Sequence, residues 1–259
     1  MDQILYAKKT EPSYENFVAY CPYCEFRNVY NRVTDLKTTE AIHFRTVSCL
    51  NKQCTKSFNI NGDLINPAFQ MLIYDCDELK LQKHYSYCIL NLAQAFEVFF
   101  SLYLQVKLLY KPLAIIEQTQ HVSNERLNDL AKRLYDSIKK YSFIRLRNIF
   151  LNFIIENKIS LTFDDTEKFI SRLETLTKNP SNESIQRISD IDLSKLLQEL
   201  KDSKVYELRN KVVHQAAYRP TLDEVDSAIK ETGDILFLLA HHLKIDSDDI
   251  NHYLIKPKS

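Results

Sequence analysis

The chain has 259 residues, 45% of them apolar, and a formal net charge of zero. This length and apolar share exclude a disordered chain and suit one large domain or two modest ones. The neutral balance excludes a long basic track, so any contact with nucleic acid is local. Only two glycines are present and no tryptophan. So few glycines leave few tight turns and argue for a mainly helical protein. Neither GxGxxG nor GxxxxGK[ST] occurs, which removes the usual nucleotide-cradling loops. The opening residues, MDQILYAKKTEPSYENF, lack a basic-then-apolar leader. Apolar runs such as FEVFFSLYLQV are short and interrupted, so no membrane span is expected. The expectation is a cytoplasmic protein, where cysteines serve metals or chemistry more often than disulfides.

In chain order, residues 1–70 carry short β-like runs: NFVAY, RNVYNRV, AIHFRTVSC and SFNING. Asn61-Gly62 reads as a hairpin turn between SFNI and DLI. The linker falls near NPAFQMLIYDCD, and residues 71–259 read as a helical domain. One long helix is predicted over about 75–112, ending at Pro112. Its stripe of Tyr85, Ile89, Leu92, Phe96, Phe99, Phe100 and Tyr103 recurs at helical spacing, opposite Gln94, Glu97, Ser101 and Gln105. Further helices are predicted at about 124–139, 143–157, 165–177 and 191–216, with KNPSNES (178–184) as a loop. A last helix runs from near Thr221 to about Leu243, opened by a capping box between Thr221 and Glu224. The stretch IKKYSFIRLRN is the most basic, with Lys139, Lys140, Arg145 and Arg147. It reads as a solvated helix face, with guidance of an RNA backbone as the functional alternative.

Four of the six cysteines lie in the first region. Cys21-Pro-Tyr-Cys24 is followed, after 24 residues, by Cys49-Leu-Asn-Lys-Gln-Cys54. Each pair can present two thiolates from one turn, and two such knuckles make the tetrahedral four-sulfur shell that structural Zn²⁺ prefers. With the flanking β-runs this reads as a zinc ribbon holding one zinc per chain. Its second knuckle is lengthened by a turn containing Asn51. Four sulfurs leave the ion no open position, so the site is structural and not catalytic. His43 sits inside a β-like run and is not taken as a ligand. Cys76 and Cys88 lie outside the pattern, and Cys88 flanks the apolar stripe as a core residue. Tyr20, Tyr23 and Phe26 surround the first knuckle, where they can stack on bases or fill the ribbon core.

The stretch YELRNKVVHQAAYRP places Arg209, Asn210 and His214 within six positions. With Arg209 at zero and about 100° per residue, Leu197, Val205, Leu208 and Val212 cluster at roughly 240–320°. Asn210 falls at about 100° and His214 at about 140°, nearly opposite that cluster. Leu196 and Leu200, on the same predicted helix, point the way His214 does, which suggests burial against a second subunit. Pro220 disfavours helical geometry at Arg219, so His214 lies near the helix end. Carbonyls at that end favour a cation, which suits an imidazole that takes or gives a proton. A guanidinium beside it can hold a phosphate through two parallel hydrogen bonds. By themselves these residues fit a solvated polar face better than an RNA-cleaving site.

LRNKVVH resembles the Arg-x4-His motif of the HEPN superfamily (higher eukaryotes and prokaryotes nucleotide-binding), in which Asn often follows the Arg. The aromatic-rich LNLAQAFEVFFSLYL upstream and the long amphipathic helix after the motif fit that order, and the resemblance covers roughly residues 75–250. It implies a mainly α, HEPN-like bundle preceded by the small β-rich ribbon, and a homodimer that brings two motifs into one cleft. It further implies a metal-independent endoribonuclease that leaves a 2′,3′-cyclic phosphate, as in abortive-infection, anti-phage and toxin systems, some with a neutralising antitoxin protein. Arg209 and His214 carry over as catalytic, and Asn210 as a helper that orients the histidine or binds phosphate. The modified Tyr of some toxin members has no counterpart at Ala216, and Tyr218 is the nearest tyrosine. Glu97 either faces the motif and pairs with Arg209 or is solvated. A non-catalytic HEPN-like RNA-binding, nucleotide-binding or dimerisation module is the alternative, and a zinc-ribbon regulator with a helical dimerisation domain a weaker third.

Overall fold

The computed structural model describes residues 16–32, 34–37, 42–62, 66–110, 112, 124–156 and 162–245. Two compact units divide between Ala68 and Phe69. The architecture is mainly helical, with two small sheets near the N-terminus.

In the first unit, β1 (Asn16–Tyr20) and β2 (Arg27–Asn31) form one antiparallel hairpin, pairing Asn16 with Asn31 and Tyr20 with Arg27. A second hairpin joins β3 (Ile42–Ser48) to β4 (Ser57–Gly62), with a bulge between Ile42 and Arg45. Asn61-Gly62 is therefore not a turn. Gly62 pairs with Ile42 at a φ of 150°, a backbone state that favours glycine. The predicted partner run DLI lies outside the described residues. Inward-facing Phe17, Tyr30, Leu36, Ile42, Phe58 and Ile60 pack with Cys21 and Cys49 into one small core.

The second unit is built around a single helix. The predicted linker NPAFQMLIYDCD instead opens α1 (Ala68–Leu81), because Phe69, Ile73 and Cys76 recur at helical spacing and are buried. The chain then breaks at Gln82–His84, where Lys83 takes a φ of 59°. It resumes as α2 (Tyr85–Gln105), so the predicted long helix is two. α2 continues as one π-helical segment, Val106–Tyr110. The wider ring frees the Leu108 carbonyl, which accepts from the Thr166 hydroxyl at 2.7 Å. The predicted stripe is buried, but so are Cys88, Ala93, Ala95, Leu102, Leu104 and Gln105. α2 is thus apolar almost all round and is covered by its neighbours. By length and composition Tyr85–Leu109 passes as a membrane span, and 61% of its apolar 18-residue window is buried inside this bundle.

Those neighbours are α3 (Asn124–Ile138), α4 (Phe143–Glu156), α8 (Val205–His214) and α9 (Leu222–Leu243). Aromatic rings join α2 to α4 and to α1. Phe100 meets Phe150 at 4.9 Å between ring centroids, and Phe99 meets Phe69 at 5.1 Å. α5 (Phe163–Arg172) runs into a 3₁₀ turn, Leu173–Thr177, and packs Phe169 on Phe153 at 4.8 Å. The predicted loop 178–184 contains the start of a short helix, α6 (Asn182–Gln186), capped by the Ser181 hydroxyl.

The predicted helix 191–216 is also two: α7 (Ile191–Asp202) and α8, parted at Ser203–Lys204. The Ser203 hydroxyl accepts from the Val205 N–H, and Glu231 accepts from the Lys204 N–H. The break resets the helical phase. Leu196 and Leu200 are buried within their own protomer and say nothing about the face that bears His214. The predicted capping box of α9 forms, with both the Thr221 and Glu224 bonds present.

Phe100 touches rings from both α2 and α4 and is fully buried. Phe100→Ala is expected to lower unfolding free energy by roughly 3–5 kcal/mol, read from denaturant midpoints of the helical unit.

Candidate functional site

Each hairpin of the first unit is closed by one cysteine pair. Cys21 and Cys24 lie between β1 and β2, and Cys49 and Cys54 between β3 and β4. The loops fold alike. The Cys21 N–H bonds to the Phe26 carbonyl at 2.9 Å, and the Cys49 N–H to the Lys56 carbonyl at 2.8 Å. The residue after each second cysteine, Glu25 or Thr55, is left-handed at φ 57° or 52°. Two extra residues fit into the second loop because Asn51 forms its own turn. Its side-chain oxygen accepts from the Gln53 N–H, and its carbonyl accepts from Cys54 and Thr55.

The four sulfurs all lie within 4.8 Å of one another. Cys21 Sγ is 3.9 Å from Cys54 Sγ, and Cys24 Sγ is 3.7 Å from Cys49 Sγ. A tetrahedron with metal–sulfur bonds of about 2.3 Å has sulfur–sulfur edges of about 3.8 Å. The donor set and spacing therefore fit a four-coordinate metal. Backbone N–H groups of Phe26, Asn51 and Lys56 are aimed at Cys24, Cys49 and Cys54, and the Asn51 amide reaches Cys24 Sγ at 3.7 Å. Such donors stabilise thiolate charge. The Phe26 N–H holds Cys24 down to about 7, whereas burial pushes Cys49 up to about 11. His43 is exposed, and among the described residues it is not part of this cluster.

Asn28 is the residue that sequence reasoning missed. It is fully buried. Its amide donates to the Ala19 and Phe26 carbonyls, and its oxygen accepts from the Leu50 N–H at 2.7 Å. One side chain thereby ties the first knuckle to the second. Nothing in the local pattern marks it except its place four residues after Cys24. Cys76 and Cys88 form a separate buried pair on α1 and α2, each thiol directed at the other's carbonyl at 3.6 and 3.5 Å.

In the helical unit, Arg209, Asn210 and His214 lie together on α8. Only Val205 of this helix is fully buried, and Leu208 and Val212 are half-buried on the side facing α2. Arg209 donates to the Asn210 side-chain oxygen at 3.2 Å, and both are half-buried. His214 is the last helical residue and is exposed. Ala217, at φ 67°, turns the chain toward buried Pro220 and α9. The Tyr218 hydroxyl donates to Glu224 at 2.9 Å, which binds that tyrosine into the capping box, and Lys211 lies over its ring.

Glu97 of α2 faces this constellation. Burial raises its carboxyl above the ordinary value, and the Arg209 guanidinium partly opposes that rise. The basic stretch before α4 is structural in part. Arg147 is buried and donates to the Lys201 carbonyl at the end of α7 at 2.7 Å, while Arg145 pairs with Glu174 and Lys139 with Asp136. A cavity of about 660 Å³ in this unit is lined by Tyr103, Lys107, Arg187, Asp190, His242 and Lys244 among others, and by none of the motif side chains.

Comparison of the chain with protein-family models, with characterised proteins and with solved structures finds no match in any of the three.

Two outcomes follow from this geometry. Purified protein should carry one tightly held divalent metal per chain, lost in Cys49→Ser, with metal content by mass spectrometry as the readout. Glu97 binds its proton more tightly folded than unfolded, so its contribution to stability falls as pH rises above the ordinary carboxyl range. Glu97→Gln should remove that dependence. Its Tm should match wild type near pH 4 and exceed it at pH 7.5.

Proposed function

We propose that the helical unit is a metal-independent endoribonuclease of HEPN type that works as a homodimer. One observation carries the reading: Arg209, bonded to Asn210 and facing Glu97, lies on the same short helix as His214, which is exposed at its end. These groups suffice for one reaction without a metal. Arg209 holds the non-bridging oxygens of a phosphodiester through two parallel hydrogen bonds. One imidazole takes the proton of the ribose 2′-hydroxyl as that oxygen attacks phosphorus. A second, protonated imidazole gives a proton to the departing 5′-oxygen. The phosphorus–O5′ bond breaks as the O2′–phosphorus bond forms, leaving a 2′,3′-cyclic phosphate and a 5′-hydroxyl.

Helix geometry supports the dimer. Five residues separate Arg209 from His214, which sets them about 140° apart and about 7.5 Å along the axis. A second α8 laid against the first supplies the complementary guanidinium and imidazole. The half-covered side of α8, with Val213 47% exposed, is the surface available for that contact.

In the same reading the metal of the first unit is zinc, one per chain, and structural. Thiolate ligands suit Zn²⁺, and four of them leave no position for water or substrate. Cysteines that serve a metal rather than disulfides fit a cytoplasmic setting. The resemblance of the motif points to phage defence or a toxin system, with RNA as substrate and a neutralising protein as a further partner.

The test compares wild type, Arg209→Ala and His214→Ala on total RNA with EDTA present, in preparations matched for folding and zinc content. Wild type should leave 2′,3′-cyclic phosphate ends, and each variant should be slower by 10²-fold or more. Identical RNA patterns for all three proteins would reject the nuclease reading in favour of a non-catalytic binding or dimerisation module.

A further inference from the structure

The first unit keeps its aromatic residues in two separate sets. Phe17, Tyr30 and Phe58 are buried and make its core. Tyr20, Tyr23 and Phe26 surround the first knuckle and are 66%, 57% and 42% exposed. They are not used for packing. Leu50, on the second knuckle, is also 52% exposed, and its N–H is held by Asn28. Exposed rings clustered on so small a unit call for a partner.

Charge indicates which kind. Arg27 and Lys56 are the basic residues of this face, and Glu25 is the acidic residue of the same knuckle. The basic groups stand beside the rings. Arg27 pairs across the hairpin with Tyr20, and the Lys56 ammonium lies over the Tyr23 ring at 4.7 Å. The backbone beneath is fixed, since the Phe26 carbonyl accepts from both the Cys21 N–H and the Asn28 amide. Rigid exposed rings interleaved with cations are what unpaired bases and their phosphates require. Bases stack on the rings whatever their identity, and the cations meet the backbone. An acidic protein partner would satisfy the cations but would leave flat, separately exposed tyrosines without a matching group.

We propose that this knuckle face binds single-stranded nucleic acid, two or three bases stacking on Tyr20, Tyr23 and Phe26 while Arg27 and Lys56 contact phosphates. The assignment stands apart from cleavage, because none of these residues lies on α8.

The test uses the full chain with its metal, in the His214→Ala form so that RNA stays intact, and fluorescence anisotropy with labelled 12-nucleotide oligouridine. The same sequence as DNA and a duplex of equal length are the comparison arms. Tyr20→Ala/Tyr23→Ala should weaken single-strand binding about tenfold or more, with metal content unchanged. Tyr20→Phe/Tyr23→Phe should stay within about twofold, since stacking needs the ring and not the hydroxyl. Arg27→Gln/Lys56→Gln should weaken binding and flatten its salt dependence, which keeps the test decisive if the alanine pair loses metal. Tighter binding to RNA or to DNA tells which strand is preferred, and either supports the assignment. Unchanged affinity in the alanine pair with metal retained, or a preference for duplex, would overturn it and give this face to a protein. Should cleavage fail while these differences persist, only the nuclease reading is lost.

Discussion

The helical unit depends on one constraint: α2 is apolar on nearly every side and must be covered all round. Apart from Tyr87 and Gln94 its residues are buried or half-buried, so most charged groups of the unit sit on the helices that do the covering. α4 meets it with Phe143 and Phe150, and α9 with a long apolar face. α8 is short and offers Val205, Leu208 and Val212, enough to dock but too little to bury the helix. A ten-residue helix is marginal alone and survives here on tertiary contact. Its remaining faces are left for polar residues, and Arg209, Asn210 and His214 occupy them. Glu97 is the one charged residue of α2, placed where only Arg209 offers it a counter-charge among the groups that set its proton affinity.

The first unit obeys a different constraint. A core of eight buried residues, two of them cysteines, is too small to offset the entropy of ordering two hairpins. Four sulfurs converging on one point replace what the core lacks, and a bound ion links ordering of both loops to one binding event. Asn28 serves the same end without metal, because its three hydrogen bonds hold strand, first knuckle and second knuckle together. With the interior so committed, Tyr20, Tyr23 and Phe26 have no place inside, which is why their exposure reads as a property of a surface built for a ligand.

Much of this was legible in the sequence, for identifiable reasons. Paired cysteines announce a metal cluster because only nearby thiolates make use of such spacing, and the S···S distances fit one ion. Thr221 and Glu224 announce a helix start because the capping box is a local bond pair. What failed to show was non-local. The Ser203 break depends on Glu231, 27 residues on, accepting from Lys204, and no periodicity reports that. Asn61-Gly62 looks like a turn locally, yet strand pairing with Ile42 overrides it. Arg147 reads as a surface cation by composition, but its position on α4 turns it inward to the carbonyls at the end of α7. The role of Asn28 likewise rests on a contact 22 residues away.

The two arginines show how environment divides the labour of one residue type. Arg147 is buried, and its guanidinium is partly satisfied by a backbone carbonyl and by Asn148. Burial lowers its affinity for the proton, so it is a structural cap whose charge the fold tolerates because carbonyl oxygens meet it. Arg209 has a neighbouring amide oxygen at 3.2 Å and a carboxyl that itself resists ionising. A guanidinium so weakly matched keeps most of its donor capacity for an incoming anion. Loss of Arg147 leaves the Lys201 carbonyl at the end of α7 without its donor inside the protein, while loss of Arg209 removes the counter-charge that opposes the raised proton affinity of Glu97.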